Sequence, residues 1–410
     1  MEQKKPKKIG IIIIILVLIT TNFITFYVTK YLPVFTGNSI IIDADDETLA
    51  TNINKLIYLS NQLQENSYYN DDFTEEDLWD GALEGMMEAT GDTYAYYFDE
   101  EESEAYEEES DGYYVGIGVM VGNNDDGNIQ VSKVFADSPA EEAGIQIGDV
   151  ILSADGTSLE GVAVEYGVTL IKGEEGTSVT LEVQRGDETL TFDIVREQIQ
   201  YVYLDYEMLD DQIGYIHIYQ FVDGTYEDFT NALTDLQSQG MEGLIIDLRQ
   251  NPGGLVSDAL DIADELLPEC DMIYTLDTDG NKSVETSDAD CVDIPLVVLI
   301  DEYSASASEI LSVALQVKDA ATFVGETTYG KGIIQTVQSF ESDNTLYKYT
   351  MYEYFGADGT KVHGVGITPD YVVEKGDDYD TTLVELIPHD EDAQLQKAIE
   401  VMQDTYLNAD

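Results

Sequence analysis

The sequence predicts a multidomain α+β protein, with an N-terminal membrane anchor and helical region, a compact β-rich domain, and an α/β core. Three observations carry this. A lysine-flanked apolar run opens the chain, hydrophobic alternation of period two takes over near residue 112, and from residue 214 apolar strands alternate with amphipathic helices. A chain of 410 residues exceeds what a single core holds. The expected boundaries are 1–30 for the lysines and anchor, 43–111 for the helical region, 112–198 for the β-rich domain and 199–405 for the core.

Lys4, Lys5, Lys7 and Lys8 precede an apolar run over residues 9–28, close to the ~20 residues that span a bilayer as helix. Lysines stay on the cytoplasmic side, which places everything after Lys30 outside. A cleaved signal peptide is the alternative, because the purest apolar stretch, 9–19, is short. The exit Tyr31-Leu32-Pro33-Val34-Phe35-Thr36-Gly37 offers no A-x-A-like cleavage site, which favours an uncleaved anchor. Beyond it, Leu49, Ile53, Leu56, Ile57 and Leu63 fall on one helix face. A second helix is expected over 75–89, with Thr74 as N-cap and Asp77 three residues on. The apolar stripe serves a core or a contact between two copies.

In the β-rich domain, Val115, Ile117, Val119 and Val121 predict one strand, and an Asp126-Gly127 turn leads to a second at 129–134. Pro139 opens a short helix that Gly144 ends. A strand at 150–153, a turn at Asp155-Gly156, a helix near 162–171 and strands at 179–184 and 189–195 complete the unit. The core then reads strand 214–219, helix 226–238, strand 243–248, helix 256–267, strand 295–300, helix 307–318 and strand 322–325. Continuous apolar strands of this kind predict a sheet covered on both faces.

Composition narrows the function. Only 18 Lys and Arg face 83 Asp and Glu, for a net charge of −65. Nucleic acid is excluded as a partner, since phosphate binding needs clustered cations. The runs Glu100-Glu101-Glu102 and Glu107-Glu108-Glu109 lack the glycine and spaced Asp or Asn of a calcium loop and read as a solvated helix face. Cys270 and Cys291 either pair across the polar segment between them or remain thiols. With two cysteines and the scattered His217, His363 and His389, no metal centre and no cofactor are expected.

Two strand ends carry chemistry. The strand ending at Leu248 runs into Arg249-Gln250-Asn251-Pro252-Gly253-Gly254, a turn whose glycines let backbone N–H groups approach a ligand. The strand ending at Ile300 runs into Ser304-Ala305-Ser306-Ala307-Ser308-Glu309 and a helix. Ser306-x-x-Glu309 satisfies the capping-box pattern. The same geometry exposes a serine beside helix N–H groups that stabilise an oxyanion, and the two readings are compatible. A nucleophilic serine needs a base. His217 lies mid-strand and His389 near the acidic tail, leaving His363 as a modest candidate; Lys331, between Gly330 and Gly332, is the stronger one. A lysine base must be neutral, which burial achieves by lowering its pKa.

Asp247-Leu248-Arg249-x-Asn251-Pro252-Gly253-Gly254, Ser304-Ala305-Ser306-Ala307-Ser308-Glu309-Ile310 and Gly325-Glu326-Thr327-x-x-Gly330-Lys331-Gly332-x-x-Gln335 resemble the carboxyl-terminal processing (tail-specific) peptidases. Gly214-Tyr215-Ile216 with Phe221, and Gly364-Val365-Gly366-Ile367-Thr368-Pro369-Asp370, extend the likeness over roughly residues 75–402. The resemblance implies a ClpP/crotonase-like catalytic core with Ser306 as nucleophile, Lys331 as general base and Gln335 orienting the lysine. It also implies an oxyanion hole from the N–H groups of Gly254 and Ala307, with Ser304 and Ser308 in support and His363 structural.

The β-rich domain resembles a PDZ domain through Ser138-Pro139-Ala140-x-x-Ala143-Gly144-Ile145-x-x-Gly148-Asp149-Val150-Ile151. Gly116-Ile117-Gly118-Val119 then corresponds to the loop that holds a terminal carboxylate, and the following strand edge accepts the peptide by strand addition. Where the family commonly has Arg-Gly after the second PDZ helix, this chain has Lys172-Gly173, which keeps the charge and loses the planar fork. Gly91-Asp92-Thr93-Tyr94 replaces the commoner Gly-Asp-Pro-Tyr. The expected function is a PDZ-gated serine endopeptidase that cleaves near exposed protein C-termini outside the membrane, as a homodimer. The alternative is a non-catalytic, membrane-anchored PDZ scaffold.

Overall fold

The structure, a computed structural model, describes residues 47–407 apart from 125–126, 136–137, 160, 163, 187, 201–202, 377–383 and 385–386. The lysines and apolar run of the expected anchor lie outside these residues. Among the described residues no helix is long and apolar enough to cross a membrane. The described residues fall into two compact units, 47–100 with Val337–Lys348, and Glu101–Thr336 with 349–407.

The first unit is built on two helices. Glu47–Asn66 follows the expected apolar spacing, yet Leu49, Leu56 and Ile57 on that stripe are exposed, as are Tyr58 and Leu59. Glu75–Glu88 starts where Thr74 predicts it: the Thr74 hydroxyl accepts from the Asp77 N–H, and the Asp77 carboxylate accepts from the Thr74 N–H. The short strand Tyr96–Phe98 pairs antiparallel with residues 346–348, and the Tyr97 hydroxyl donates to Asp80 at 2.9 Å.

In the second unit the β-rich domain forms a sheet in the order Val119–Asn123, Ile129–Val134, Val150–Ala154, Ser178–Arg185, Glu188–Val195. Its core is Ile117, Ile129, Val131, Ile151, Val179, Leu181, Val183 and Ile194. Val115 to Val121 is not one strand. Tyr113–Gly116 pairs with Glu197–Gln200 and Val119–Asn123 with Ile129–Val134, and the break falls at Gly118, whose φ of 82° is left-handed. The helix Pro139–Ala143 is closed by Ser138 at its start and left-handed Gly144 at its end, as the sequence predicts.

The α/β part holds a six-stranded sheet in the order Leu204–Met208, Ile213–Ile218, Gly243–Asp247, Leu296–Ile300, Thr322–Gly325, Tyr371–Val372. The first pair is antiparallel and the remaining four are parallel. Period two sorts its side chains between two cores. Ile216, Ile218, Leu244, Ile246, Val298 and Ile300 pack with the helices Thr225–Ser238, Val256–Leu266 and Ala307–Gln316. Ile213, Tyr215, Ile245, Val297 and Leu299 pack with Leu395, Ala398 and Val401 of the helix Ala393–Val401. Double coverage is why these strands read as unbroken apolar runs.

The ClpP/crotonase-like α/β core implied by the family resemblance is not what forms. The layered sheet gains an antiparallel edge strand. A separate antiparallel layer, Asp271–Leu276 paired with Lys282–Thr286 and with residues 353–356, is added beside it, giving an α+β domain. Its strands are mostly half-exposed or exposed, so they leave none of the buried-run signal that the parallel strands carry.

Candidate active site

The two chemistry-bearing turns meet at the C-terminal ends of neighbouring parallel strands, Gly243–Asp247 and Leu296–Ile300, where ligands of such sheets sit. They are laced together by serines. The Ser304 hydroxyl donates to the Leu248 carbonyl at 2.8 Å and the Ser308 hydroxyl to the Asn251 carbonyl at 3.0 Å. The Ala305 N–H donates to the same Asn251 carbonyl at 3.0 Å. Asp301 organises both turns, accepting on one oxygen from the N–H groups of Gln250 (2.9 Å), Tyr303 (3.1 Å) and Ser304 (3.1 Å). Burial raises the Asp301 pKa, against the lowering effect of these N–H bonds.

Ser306 stands between them in an uncommon backbone conformation, φ 56° and ψ −112°, and is 9% exposed. A non-glycine residue held there is strained. The helix Ala307–Gln316 begins at the next residue, so the Ala307 N–H belongs to the set of helix-start donors without intrahelical partners. Gly253 lies directly against this elbow: a Cβ placed on it would stand 2.7 Å from the Ser306 Cβ and 2.9 Å from the Ala307 nitrogen. Gly254 runs beside Phe221 in a parallel bridge. In that bridge the Phe221 N–H donates to the Gly253 carbonyl (2.9 Å) and the Leu255 N–H to the Phe221 carbonyl (2.7 Å), leaving the Gly254 N–H on the other edge. Left-handed φ values of 104° and 130° at Gly253 and Gly254 make this path open to glycine alone.

Lys331 is brought to the same place by its main chain. Glu309, fully buried, accepts four hydrogen bonds. One carboxylate oxygen takes the Ser306 N–H (3.0 Å) and the Lys331 N–H (2.7 Å); the other takes the Thr328 hydroxyl (2.5 Å) and the Gly330 N–H (2.7 Å). All four lone-pair directions are used. A second bridge comes from Tyr354, whose hydroxyl lies 3.1 Å from the Ser306 carbonyl and 3.0 Å from the Lys331 carbonyl. Burial, with the charge of Glu309 adding to it, pushes that phenol well above its usual pKa, so it stays a donor.

The Gln335 amide donates to the Thr350 hydroxyl at 3.1 Å, two strand residues past the Lys331 loop. The His363 backbone packs on Gly332, and its Nδ1 is buried with no partner among the described residues. His217 is buried, its Nε2 3.4 Å from the Arg249 carbonyl, and His389 pairs with Glu207 at 3.6 Å. Cys270 and Cys291 are free thiols. Among the described residues no cluster of His, Cys, Asp and Glu suits a metal ion.

Beneath the glycine turn, Arg249 is fully buried. It pairs with Asp247 at 2.6 Å and with Asp392, the N-cap of Ala393–Val401, at 2.8 Å, and it also donates to Gln394 at 3.0 Å. Burial alone would raise the Asp247 pKa, but the Arg249 charge and hydrogen bonds, with His217, outweigh it and lower it to about 2.

In the β-rich domain a cavity of about 240 Å³ lies between the edge strand Val119–Asn123 and the helix Val164–Ile171, lined by Gly116, Ile117, Val119, Phe135, Ile171 and Lys172 among others. The loop at its end is pinned from behind. The Gly118 carbonyl accepts from the Phe135 N–H (3.0 Å) and the Ser138 hydroxyl (3.3 Å), and the Ile117 carbonyl accepts from the Ala140 N–H (2.8 Å). Gly118 has no room for a Cβ, which would collide with Ser138. The Lys172 Nζ sits 5.3 Å above the Tyr114 ring.

Residues 212–373 match the model of peptidase family S41, and residues 115–195 match that of the PDZ domain. Carboxy-terminal processing protease CtpA of Bacillus subtilis (strain 168) is 34% identical over 359 residues, covering 86% of this chain and 76% of that protein. The chain belongs to peptidase family S41. It is a serine-type endopeptidase of the C-terminal processing group and carries a PDZ domain. A second relative, "Probable CtpA-like serine protease" of Staphylococcus aureus (strain N315), is 33% identical over 362 residues, with 87% of this chain and 72% of that protein covered. A solved structure described as an S41 protease of Bacteroides fragilis aligns with 84% of this chain and 97% of its own at a TM-score of 0.52 and 16% identity. That likeness in fold, with the family match, is the finding that replaces the ClpP/crotonase-like expectation by the S41 α+β domain.

The linking roles of Glu309 and Tyr354, which join the Ser306 elbow to the Lys331 loop, escaped the sequence reading. Glu309 was visible only as the third residue of a capping box, and Tyr354 sits in an alternating strand that carries no signal of its own.

Proposed function

We propose that Ser306 is the nucleophile and Lys331 the general base of this peptidase. The observation that carries the reading is the strained Ser306 elbow at the start of the helix Ala307–Gln316, with the glycine turn at Gly253 packed against it. Neutral Lys331 takes the hydroxyl proton as Oγ attacks the scissile carbonyl carbon, and the oxyanion forms against the two N–H groups. The lysine ammonium returns the proton to the leaving amine, and a water activated the same way hydrolyses the acyl-enzyme. Gln335, held by Thr350, orients the lysine, and His363 is structural. The substrates are proteins with exposed C-termini. The carboxylate sits at the loop from Gly116 to Val119, the tail adds a strand to the edge Val119–Asn123, and Lys172 answers its charge. The proposed division is an anchor at 1–30, a helical region at 43–111 whose exposed Leu56 and Ile57 meet a second copy, a PDZ domain at 112–198 and a peptidase core at 199–405, all beyond the anchor being extracytoplasmic.

The test is hydrolysis of an unstructured protein with an apolar C-terminus by the full chain, beside Ser306→Ala and Lys331→Ala. Both variants should lose more than about a thousandfold in kcat. The parent rate should fall as pH falls and Lys331 takes up a proton. Undiminished turnover by Lys331→Ala, or a flat profile between pH ~5 and ~8, would exclude the lysine base.

A further inference from the structure

The PDZ domain touches the peptidase core through a charged contact that leads straight to the oxyanion turn. Lys133, on the strand Ile129–Val134, pairs with Asp205 of the core strand Leu204–Met208 at 3.2 Å. The Tyr219 hydroxyl donates to the same Asp205 oxygen at 2.7 Å, and the Lys133 Nζ also stands 5.6 Å from the Tyr219 ring centroid. Lys133, Asp205 and Tyr219 therefore close a three-membered contact of cation, carboxylate and phenol.

Each end of that contact reaches a functional surface. On the PDZ side, Phe135 lines the groove, its N–H holds the Gly118 carbonyl at 3.0 Å, and the Lys133 Nζ lies 6.0 Å from its ring centroid. On the core side, Tyr219 is two residues before Phe221, the backbone strut that bonds the Gly253 carbonyl and the Leu255 N–H and so aims the Gly254 N–H. Tyr219 is thus joined to Gly254 by Gln220 and the Phe221 bridge.

Resting on the peptidase reading above, we propose that Lys133 is a positioning residue for catalysis: through Asp205 and Tyr219 it seats Phe221, and with it Gly254, and it reports groove occupancy to the oxyanion hole. A peptide tail that displaces Phe135 moves the lysine that stands over it. Because Lys133 and Asp205 are partly exposed, the contact is of modest strength and weakens with salt, which suits a reversible link better than a rigid joint.

The experiment measures kcat and KM of the full chain on an unstructured protein with an apolar C-terminus, for the parent, Lys133→Met, Asp205→Asn, the double variant and Lys133→Arg. Lys133→Met and Asp205→Asn should each lower kcat about threefold to fivefold, with KM little changed, and Lys133→Arg should restore it. The double variant should be no worse than either single one, and raising salt should lower the parent toward them. Hydrogen exchange read in the Ser306→Ala background supplies a measure independent of turnover: the Phe221 and Leu255 amides should exchange faster in Lys133→Met. Additive losses, a change confined to KM, or unchanged exchange at those amides would each overturn the proposal. A parent without turnover would sink the peptidase reading instead, while the exchange measurement would still decide this one.

Discussion

The two ligand surfaces of this protein are held in different ways. The turns around Ser306 are fixed from inside by buried partners: Glu309 with four bonds, Ser304 and Ser308 on carbonyls of the opposite turn, Asp301 on three N–H groups, and Arg249 beneath. The PDZ groove is shaped by apolar walls, with one pinned loop and one lysine resting on an aromatic ring. On the proposed reading, preorganisation at the first surface serves chemistry, where donors must already be aimed when charge develops. The second surface, on the proposed reading, serves capture, for which apolar walls tolerate varied tails.

The sharpest way to break this comparison is to attack the buried foundation. Arg249→Met leaves Asp247 and Asp392 without their cation and should cost about 3–5 kcal/mol of stability, read by urea unfolding. The pH dependence identifies the cause. Asp247 has its folded pKa at about 2, below its ordinary 3.8, so its stabilising contribution is complete above 3.8 and is lost as pH falls through about 2. In Arg249→Met that acid-side loss should disappear.

Gly253→Ala tests the chemistry side with less effect on folding. Its methyl would press on Ser306 and Ala307 at 2.7 and 2.9 Å, and kcat should fall about a hundredfold or more while the thermal melt still shows a cooperative fold. The smallest effect is expected in the groove. Lys172→Ala should weaken binding of an apolar-tailed peptide by a few-fold and leave kcat for a short peptide near the parent value. Equal losses in both assays would mean that the groove is as tightly coupled to catalysis as the Glu309 bridge.

Much of this was legible in the sequence, for stated reasons. Thr74 marks a helix start because its side-chain oxygen caps a free N–H, and Pro139 marks another because its fixed φ suits the first turn. Apolar runs such as 244–248 mark doubly covered strands. Ser306 and Lys331 stood out by the glycines and turns around them, and the S41 relatives bear out the peptidase reading. What stayed hidden depends on partners distant in the chain. Arg249 meets Asp392 143 positions later, and Glu309 meets Lys331 22 positions later; neither pairing has a local period or composition. The break at Gly118 was missed because alternation runs through it unchanged, although the chain there passes from one sheet to another.

Glu309 is at once the third residue of a helix and the clasp that closes on the turn from Thr328 to Lys331. Helix docking and assembly of the proteolytic centre are thereby one event. A half-unfolded chain has Ser306 and Lys331 on separate segments, and on the proposed reading it lacks a working dyad. One carboxylate thus finishes the helix start and completes the turn that faces it.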